Sequence, residues 1–162
     1  MSFRNAPTEG HFGIGIYQSK RSLNLGMLWR GAYQLGASYI FTVGHRYKPQ
    51  PSDIYKTWLQ IPLFAYLDMN EMKASAPRNS QLIGIEMGGE SLPTFTHPPW
   101  ATYLLGAEDS GLPNRVLDAC HHVVSIPSVR AESYNVAQAG TIVMYDRMIK
   151  LSRGEVGGEH QP

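Results

Sequence analysis

The chain has 162 residues, 43% of them hydrophobic and 17% charged, with a formal net charge of +1. That length and composition fit one globular domain with a substantial core. No apolar run approaches the ~18 residues that a membrane span needs. Cys120 is the sole cysteine, which excludes an intrachain disulfide. The opening MSFRNAPTEGHFGIGIY has no secretory apolar core, so a reducing cytoplasm is the expected compartment.

Charge is unevenly spread. Residues 1–50 carry Arg4, Lys20, Arg21, Arg30, Arg46 and Lys48 against Glu9 alone. Residues 51–162 carry eight basic and twelve acidic groups. A polyanion would meet the N-terminal third first, although chance clustering on a solvated face produces the same count.

In chain order, residues 1–11 are polar and read as a loose N-terminal arm. Phe12 to Tyr17 alternates as a first strand, its glycines marking close approach of another backbone. Gln18 to Ser22 is a basic loop. Leu23 to Leu35 has a helical apolar stripe, with Gly36 as a stop. Tyr39 to Val43 is apolar throughout, as buried parallel strands are. His45 to Pro51 is turn-rich, and Ser52 or Asp53 can cap a short helix through Trp58. Leu63 to Leu67 is a third strand. Asp68 or Asn70 can open a brief helix that ends before Pro77. Leu82 to Glu86 is a fourth strand, and Ser91 to Pro99, with three prolines, is a connection. Trp100 to Leu105, Leu112 to Ala119 and His122 to Ile126 read as strand, short helix and strand. Ser133 to Leu151 is the last helix, and the glycine-bearing tail 152–162 is predicted to be disordered. The alternation predicts an α/β fold with a mostly parallel sheet, one domain over residues 12–151.

Three constellations carry possible chemistry. In Asn24-Leu-Gly26-Met-Leu-Trp-Arg30, Asn24 stands at a helix start, where it can cap or hold a ligand. Gly26 admits a close neighbour, and Arg30 lies about 1.7 turns further on. In Gly106-Ala-Glu108-Asp-Ser-Gly111-Leu-Pro113, no Lys-Ser/Thr pair follows, so this is no P-loop. Its acids suit hydroxyl or amino donors, and Asp109 or Ser110 can equally act as a simple cap. In Ile126-Pro-Ser-Val-Arg-Ala-Glu-Ser133-Tyr-Asn135, Ser133 is expected to begin the final helix, placing its hydroxyl beside the free N–H groups of the first turn. Adjacent His121 and His122 point to opposite faces of a strand and lack zinc-like spacing, so no metal site is expected. No Gly-x-Ser-x-Gly or Cys/His set suggests a covalent hydrolase, and no Gly-x-Gly-x-x-Gly follows the first strand.

Taken together, the three constellations resemble the motifs of the SpoU (TrmH-type) branch of the SPOUT RNA methyltransferases, over roughly residues 12–150. Asn24-x-Gly26-x-x-x-Arg30 is similar to the first motif, Leu105-Gly106-x-Glu108-x-x-Gly111-Leu112-Pro113 to the second, and Ile126-Pro127 with Ser133-Tyr-Asn135-Val-Ala137 to the third. Tyr134 stands where the family has an apolar residue. The resemblance implies an α/β sheet with a C-terminal deep trefoil knot, an exception to unknotted chains. It also implies a homodimer with a site completed across the interface, S-adenosylmethionine as cofactor, and methyl transfer to a ribose 2′-hydroxyl of RNA. By the match, Ile85, Gly106, Ile126 and Ser133 line the cofactor pocket, while Arg30, Asn24, Glu108, Ser133 and Asn135 serve catalysis. Arg30 would be the base, or a phosphate or alkoxide binder, since a free guanidinium has a pKa above ~12. Without a further RNA-binding domain, the catalytic dimer must grip RNA itself, and Lys20, Arg21, Arg46 and Lys48 are the candidates. A minimal enzyme of this kind resembles those acting on tRNA, with rRNA as the competitor. Other readings are a catalytically silent RNA-binding dimer and a base methyltransferase of another SPOUT branch.

Overall fold

A computed structural model describes residues 10–44, 60–130 and 132–155. The expected loop 45–51, the helix through Trp58, Arg46, Lys48, most of the arm and most of the tail lie outside the described residues. The chain runs β1 (His11–Tyr17), α1 (Ser22–Gln34), β2 (Tyr39–Val43), β3 (Leu63–Tyr66), α2 (Met69–Ser75), β4 (Gln81–Ser91), β5 (Trp100–Leu105), α3 (Asn114–Leu117), β6 (His122–Ser125) and α4 (Val136–Ser152). A single 3₁₀ turn, Leu92–Thr94, interrupts the proline-rich connection.

The six strands among the described residues form one sheet in the order β3-β2-β1-β5-β4-β6, and every pairing between them is parallel. Parallel strands are covered on both faces. One face packs Ile14, Ile16, Ile40, Ile83, Tyr103 and Val124 against α1 and α4. The other packs Tyr39, Phe41, Val43 and Leu104 with Met72 of α2 and Val116 of α3. The glycines of β1 belong to this second face. A Cβ on Gly13 would fall 2.1 Å from the Tyr39 ring, and one on Gly15 would fall 2.4 Å from the Phe41 ring. The aromatics of β2 therefore lie over two positions of β1 that have no side chain to resist them.

Helix α4 sits close on the sheet because Gly140 lets it: a Cβ there would stand 2.4 Å from Leu28 and 3.0 Å from Leu105. Its far end is held by buried charge. Lys150 Nζ donates to the carbonyls of Leu92 at 2.6 Å and Phe95 at 2.9 Å, and pairs with Asp146 at 2.8 Å. Arg147 donates to the carbonyls of Pro98 at 2.7 Å and Pro99 at 2.8 Å, and its guanidinium lies 4.9 Å from the Phe12 ring centre. The carbonyls of Pro99 and Leu92 also accept backbone N–H bonds, from His11 at 2.9 Å and Phe95 at 3.1 Å, and the two cations add side-chain donors where the prolines of the 92–99 connection supply no N–H.

Between them lies His97, fully buried, with Nδ1 2.6 Å from the Tyr103 hydroxyl and Nε2 2.8 Å from Asp146. Because Arg147 donates to the Tyr103 oxygen at 3.3 Å, that hydroxyl is left to donate to Nδ1, and Nε2–H donates to Asp146. Burial, with Arg147 and Lys150 nearby, pushes the imidazole pKa down to about 4 against the hydrogen bond and charge of Asp146, so the pair is a neutral-imidazole hydrogen bond at pH 7. An unfolded His97 titrates near its ordinary 6.5 and so binds more protons than the folded one between the two values. Stability is therefore full above about pH 6.5 and falls as pH drops toward 4, by ~3 kcal/mol from this residue. Urea titrations at pH 7, 5.5 and 4.5 should show a steeper pH loss in the wild type than in His97→Gln.

Candidate active site at the carboxyl edge of the sheet

All six parallel strands end on one edge, so the loops after β1, β4, β5 and β6 emerge side by side. The order of strands reverses between β1 and β5, which pair directly from His11↔Trp100 to Ile16↔Leu105. A crevice forms where connections diverge in this way, beyond the strand ends. The first turn of α1, just after the β1 loop, carries Asn24, and the loop after β5 carries Glu108.

These two residues meet. Asn24 Nδ2 donates to Glu108 Oε1 at 2.6 Å. Asn135 joins from the loop before α4, its Nδ2 donating to the same Oε1 at 2.8 Å and to Asn24 Oδ1 at 3.1 Å. Arg21 Nε approaches the other carboxylate oxygen at 3.6 Å, and Lys20 pairs with Asp109 at 2.8 Å on the exposed rim. The Lys20 ammonium beside Asp109 holds that carboxyl below its usual range. Lys20 and Arg21 thus stand at the mouth of this cluster. Asn24, buried in the first turn of α1, makes no cap to its own helix, whose N-cap position is Arg21. Its amide is directed across the crevice.

The last helix corrects an expectation. It begins at Val136, and Asn135, not Ser133, is its cap: Asn135 Oδ1 accepts from the backbone N–H of Ala137 at 2.9 Å and Gln138 at 3.3 Å. One planar amide caps with its oxygen and reaches Glu108 and Asn24 with its nitrogen, a pairing of roles that a serine hydroxyl cannot span. The first-turn N–H groups are therefore occupied by the cap. Ser133 lies exposed in the preceding segment, and Tyr134 pins that segment by donating to the Pro127 carbonyl at 3.0 Å. The short helix is also smaller than expected: α3 covers Asn114–Leu117, with Pro113 at its N-cap and its far end tightening into the bonds from Ala119 N–H to Val116 at 3.1 Å and from Cys120 N–H to Leu117 at 3.0 Å.

Two adjoining clefts of about 290 Å³ and about 240 Å³ open beside the cluster and share Ile85, Glu86, Met87, Ser133, Tyr134 and Ala139. The first also takes in Ile126, and the second Gly106 and Glu108, so Ile85, Gly106, Ile126 and Ser133 all line one continuous hollow. Arg30 is exposed on α1, six residues beyond Asn24 and so ~9 Å further along the helix axis. A Cβ on Gly26 would meet nothing within 4 Å, so any need for glycine there comes from outside the protomer.

Glu86 was not marked by the sequence. Its Oε2 accepts from the Leu112 N–H at 2.7 Å and its Oε1 from the Met87 N–H at 2.9 Å. Gly111, at φ +62°, lies against this carboxylate, where a Cβ would come within 2.3 Å of Oε2. Glu86 thereby ties the end of the first β4 ladder to the turn that carries Glu108. An acid directly after an apolar strand was the available signal. The strand itself continues: Val124 pairs with both Ile85 and Glu90, so residues between them leave the ladder and wall the cleft. His121 and His122 serve pairing of β4 with β6, through Leu82 N–H to His121 Nδ1 at 2.9 Å and His122 Nε2 to Gln81 at 2.8 Å.

The SpoU rRNA Methylase family matches residues 12–145. The chain belongs to the SpoU methylase family. No curated protein matches it significantly. Among solved structures, the SpoU methyltransferase AviRb from Streptomyces viridochromogenes shares 23% identity at a TM-score of 0.80, covering 96% of this chain and 66% of that one. The same protein in complex with AdoMet superimposes at 0.78, with 24% identity over 92% of this chain and 60% of that one. A protein whose structure addresses 2-OH methylation of C/U34 on tRNA shares 21% identity at 0.76, covering 88% of this chain and 92% of that one. This SpoU chain thus spans about two thirds of AviRb and nearly all of the tRNA-related protein. The likeness shows a common α/β fold. The SpoU match spans Asn24, Glu108 and Asn135 together.

Replacing Asn135 by Asp keeps the cap acceptor, removes both donors and sets a second carboxylate against Glu108. Asn135→Asp should lower stability by ~1–3 kcal/mol, whereas Asn135→Ser, which also caps, should lose less. Chemical denaturation at pH 7.5 ranks the two.

Proposed function

We propose that this SpoU protein is an S-adenosylmethionine-dependent RNA ribose 2′-O-methyltransferase, acting on tRNA in preference to rRNA. The observation that carries the reading is the convergence of Asn24, Glu108 and Asn135, spread over the chain, into one hydrogen-bonded cluster beside a hollow at the switch point of the sheet. The hollow fits the cofactor's chemistry: Ile85, Ile126 and Ala139 offer apolar walls, and Glu86, Ser133 and the backbone at Gly106 offer polar groups. When bound, the sulfonium would supply an electrophilic methyl group, which is the hard part of the chemistry.

The protein then has to align a 2′-oxygen and take up its proton. In this reading Glu108, fixed by two amides, orients the ribose with Ser133 and Asn135, and Arg30 meets the oxygen or the adjacent phosphate. In this reading Arg30 reaches the site from a second subunit, its backbone lying six residues along α1 from Asn24. A homodimer is supported by a hollow of about 360 Å³ between α1 and α4, lined by Met27, Tyr134, Ala137, Thr141 and Ile142, and by exposed Leu23 and Tyr145 on the same helices. A second copy would cover this apolar face. The trefoil threading of the C-terminal part belongs to the same proposal. What supports it is membership of the SpoU methylase family over residues 12–145. Lys20, Arg21, Arg46 and Lys48 would attract the RNA backbone, the first two exchanging exposed acid partners for phosphate. The compartment proposed is the cytoplasm; among the described residues no helix is long and apolar enough to cross a membrane.

Incubation with methyl-labelled S-adenosylmethionine and total RNA, followed by mapping of 2′-O-methyl sites, tests the reading. Label should enter a ribose of tRNA. Cofactor and RNA binding with no transfer would instead leave a silent RNA-binding dimer, and label in a base would mean another SPOUT chemistry. Arg30→Lys should cut the rate by ~10²-fold with cofactor affinity unchanged. Near-normal turnover in that variant would remove any dedicated guanidinium role.

A further inference from the structure

The carboxyl edge of the sheet holds a second cleft on the other side of the switch point. It has a volume of about 380 Å³ and lies over the ends of β1, β2 and β3, lined among others by Tyr17, Gln18, Asp68, Asn70, Lys73 and Arg115. It is separate from the hollow over β4, β5 and β6, with which it shares no lining residue. Its character is polar and cationic. Arg115 Nη2 donates to the Tyr17 hydroxyl at 2.9 Å, which fixes the guanidinium without neutralising it. Lys73 is exposed and has no ion pair among the described residues. Against these two charges the lining has one carboxylate, Asp68, whose Oδ1 is taken up in capping α2 through the Glu71 N–H at 2.9 Å.

Two features tie this cleft to the reaction centre. The first is covalent: the segment from β1 into the first turn of α1, which holds Asn24, begins with Gln18, and the loop from β5 that carries Glu108 leads directly into α3 with Arg115. Each strand-to-helix segment thus serves the cluster with one residue and the second cleft with another. The other feature is backbone. Gln18 has φ 50°, the only non-glycine residue among those described in the left-handed region. Its N–H donates to the Val43 carbonyl at 2.7 Å, holding the turn that puts its side chain at the cleft. Such a conformation is strained in a residue with a Cβ and persists where its surroundings impose it.

We propose that this cleft binds a nucleotide of the RNA strand neighbouring the methylated one, its phosphate on Arg115 and Lys73 and its base edge against Gln18 and Asn70. The planar fork of Arg115 suits a phosphodiester, and a volume near 400 Å³ admits more than a bare phosphate. Amides such as Gln18 and Asn70 offer a donor and an acceptor each, as base edges require. The cleft would thereby contribute to choice of RNA context, which the catalytic cluster, built to meet ribose, cannot read. This rests on the RNA methyltransferase reading above.

The test uses the full chain, labelled S-adenosylmethionine and total tRNA, with RNA binding measured in parallel at several salt concentrations. In Arg115→Ala/Lys73→Ala the KM for RNA should rise about tenfold, with kcat at saturating RNA within about twofold. The slope of log affinity against log salt should flatten by about one unit per lost phosphate contact, and cofactor affinity by calorimetry should be unchanged. Lys73→Glu, at a side chain that bonds to nothing described, keeps the fold and should weaken RNA at least as much as its alanine counterpart. A double variant with wild-type KM and salt slope overturns the subsite while leaving the methyltransferase standing. A wild-type protein that neither methylates nor binds RNA overturns both. If uridine monophosphate binds the wild type and not the variant while RNA kinetics stay equal, the cleft serves a free nucleotide and the proposal fails.

Discussion

Glu108 Oε1 accepts two amide N–H bonds, from Asn24 at 2.6 Å and from Asn135 at 2.8 Å, and the carboxyl edge of the molecule is arranged about that one oxygen. A carboxylate accepts and does not donate, so both amides must present nitrogen, and their oxygens are then committed elsewhere. The oxygen of Asn135 caps α4. The oxygen of Asn24 takes the second bond of Asn135. No amide in the set can flip without losing at least one bond, which locks the orientation of three side chains from three distant segments. The start of α4 is thereby fixed to the first turn of α1 and the loop after β5, and a change in any member is felt in helix position as well as in the crevice.

The parallel sheet makes this convergence possible. Six strands running the same way deliver every functional loop to one edge, and the reversal of strand order between β1 and β5 opens the crevice there. Glycines set how closely the loops approach. Gly106 faces the Gly111 backbone, where a Cβ would stand at 2.4 Å, so the turn bearing Glu108 folds flat upon itself. Glu86 then clamps that turn to β4. The edge is divided into two hollows by the segments carrying Asn24 and Glu108, one over β4, β5 and β6 and one over β1, β2 and β3.

At the far end of α4 the same logic runs with opposite charge. Carbonyls of the 92–99 connection have few backbone donors to meet, and Arg147 and Lys150 reach them from one helix face. Burying two cations is tolerable because their donors are satisfied by oxygen, and Asp146 balances part of the charge. His97 stays neutral within this group, so acid loosens it before most carboxylates have taken up protons. Helix α4 is held by hydrogen bonds at both ends and by close packing at Gly140 between them.

Strand and helix types were legible because buried parallel strands are apolar runs and helices repeat every 3.6 residues. Tyr39–Val43 and the stripe of α1 follow these patterns, and such signals are local. The residue types of the polar cluster were legible too, because Asn24, Glu108 and Asn135 stand in motifs of fixed spacing. The start of α4 was misplaced at Ser133, since serine and asparagine cap equally well in isolation, and only Glu108, 27 residues earlier, decides between them. The roles of Glu86, Gln18 and Arg115 were invisible for the same reason. None carries a local signature, and each acquires its contact from a strand or loop distant in sequence. The chain by itself determined the α/β alternation, the polar groups available and the motifs that hold them. The tertiary structure alone decided which strand ends adjoin, because hydrogen-bond register between β1 and β5 depends on pairing across more than eighty residues, and with it which side chains share a crevice.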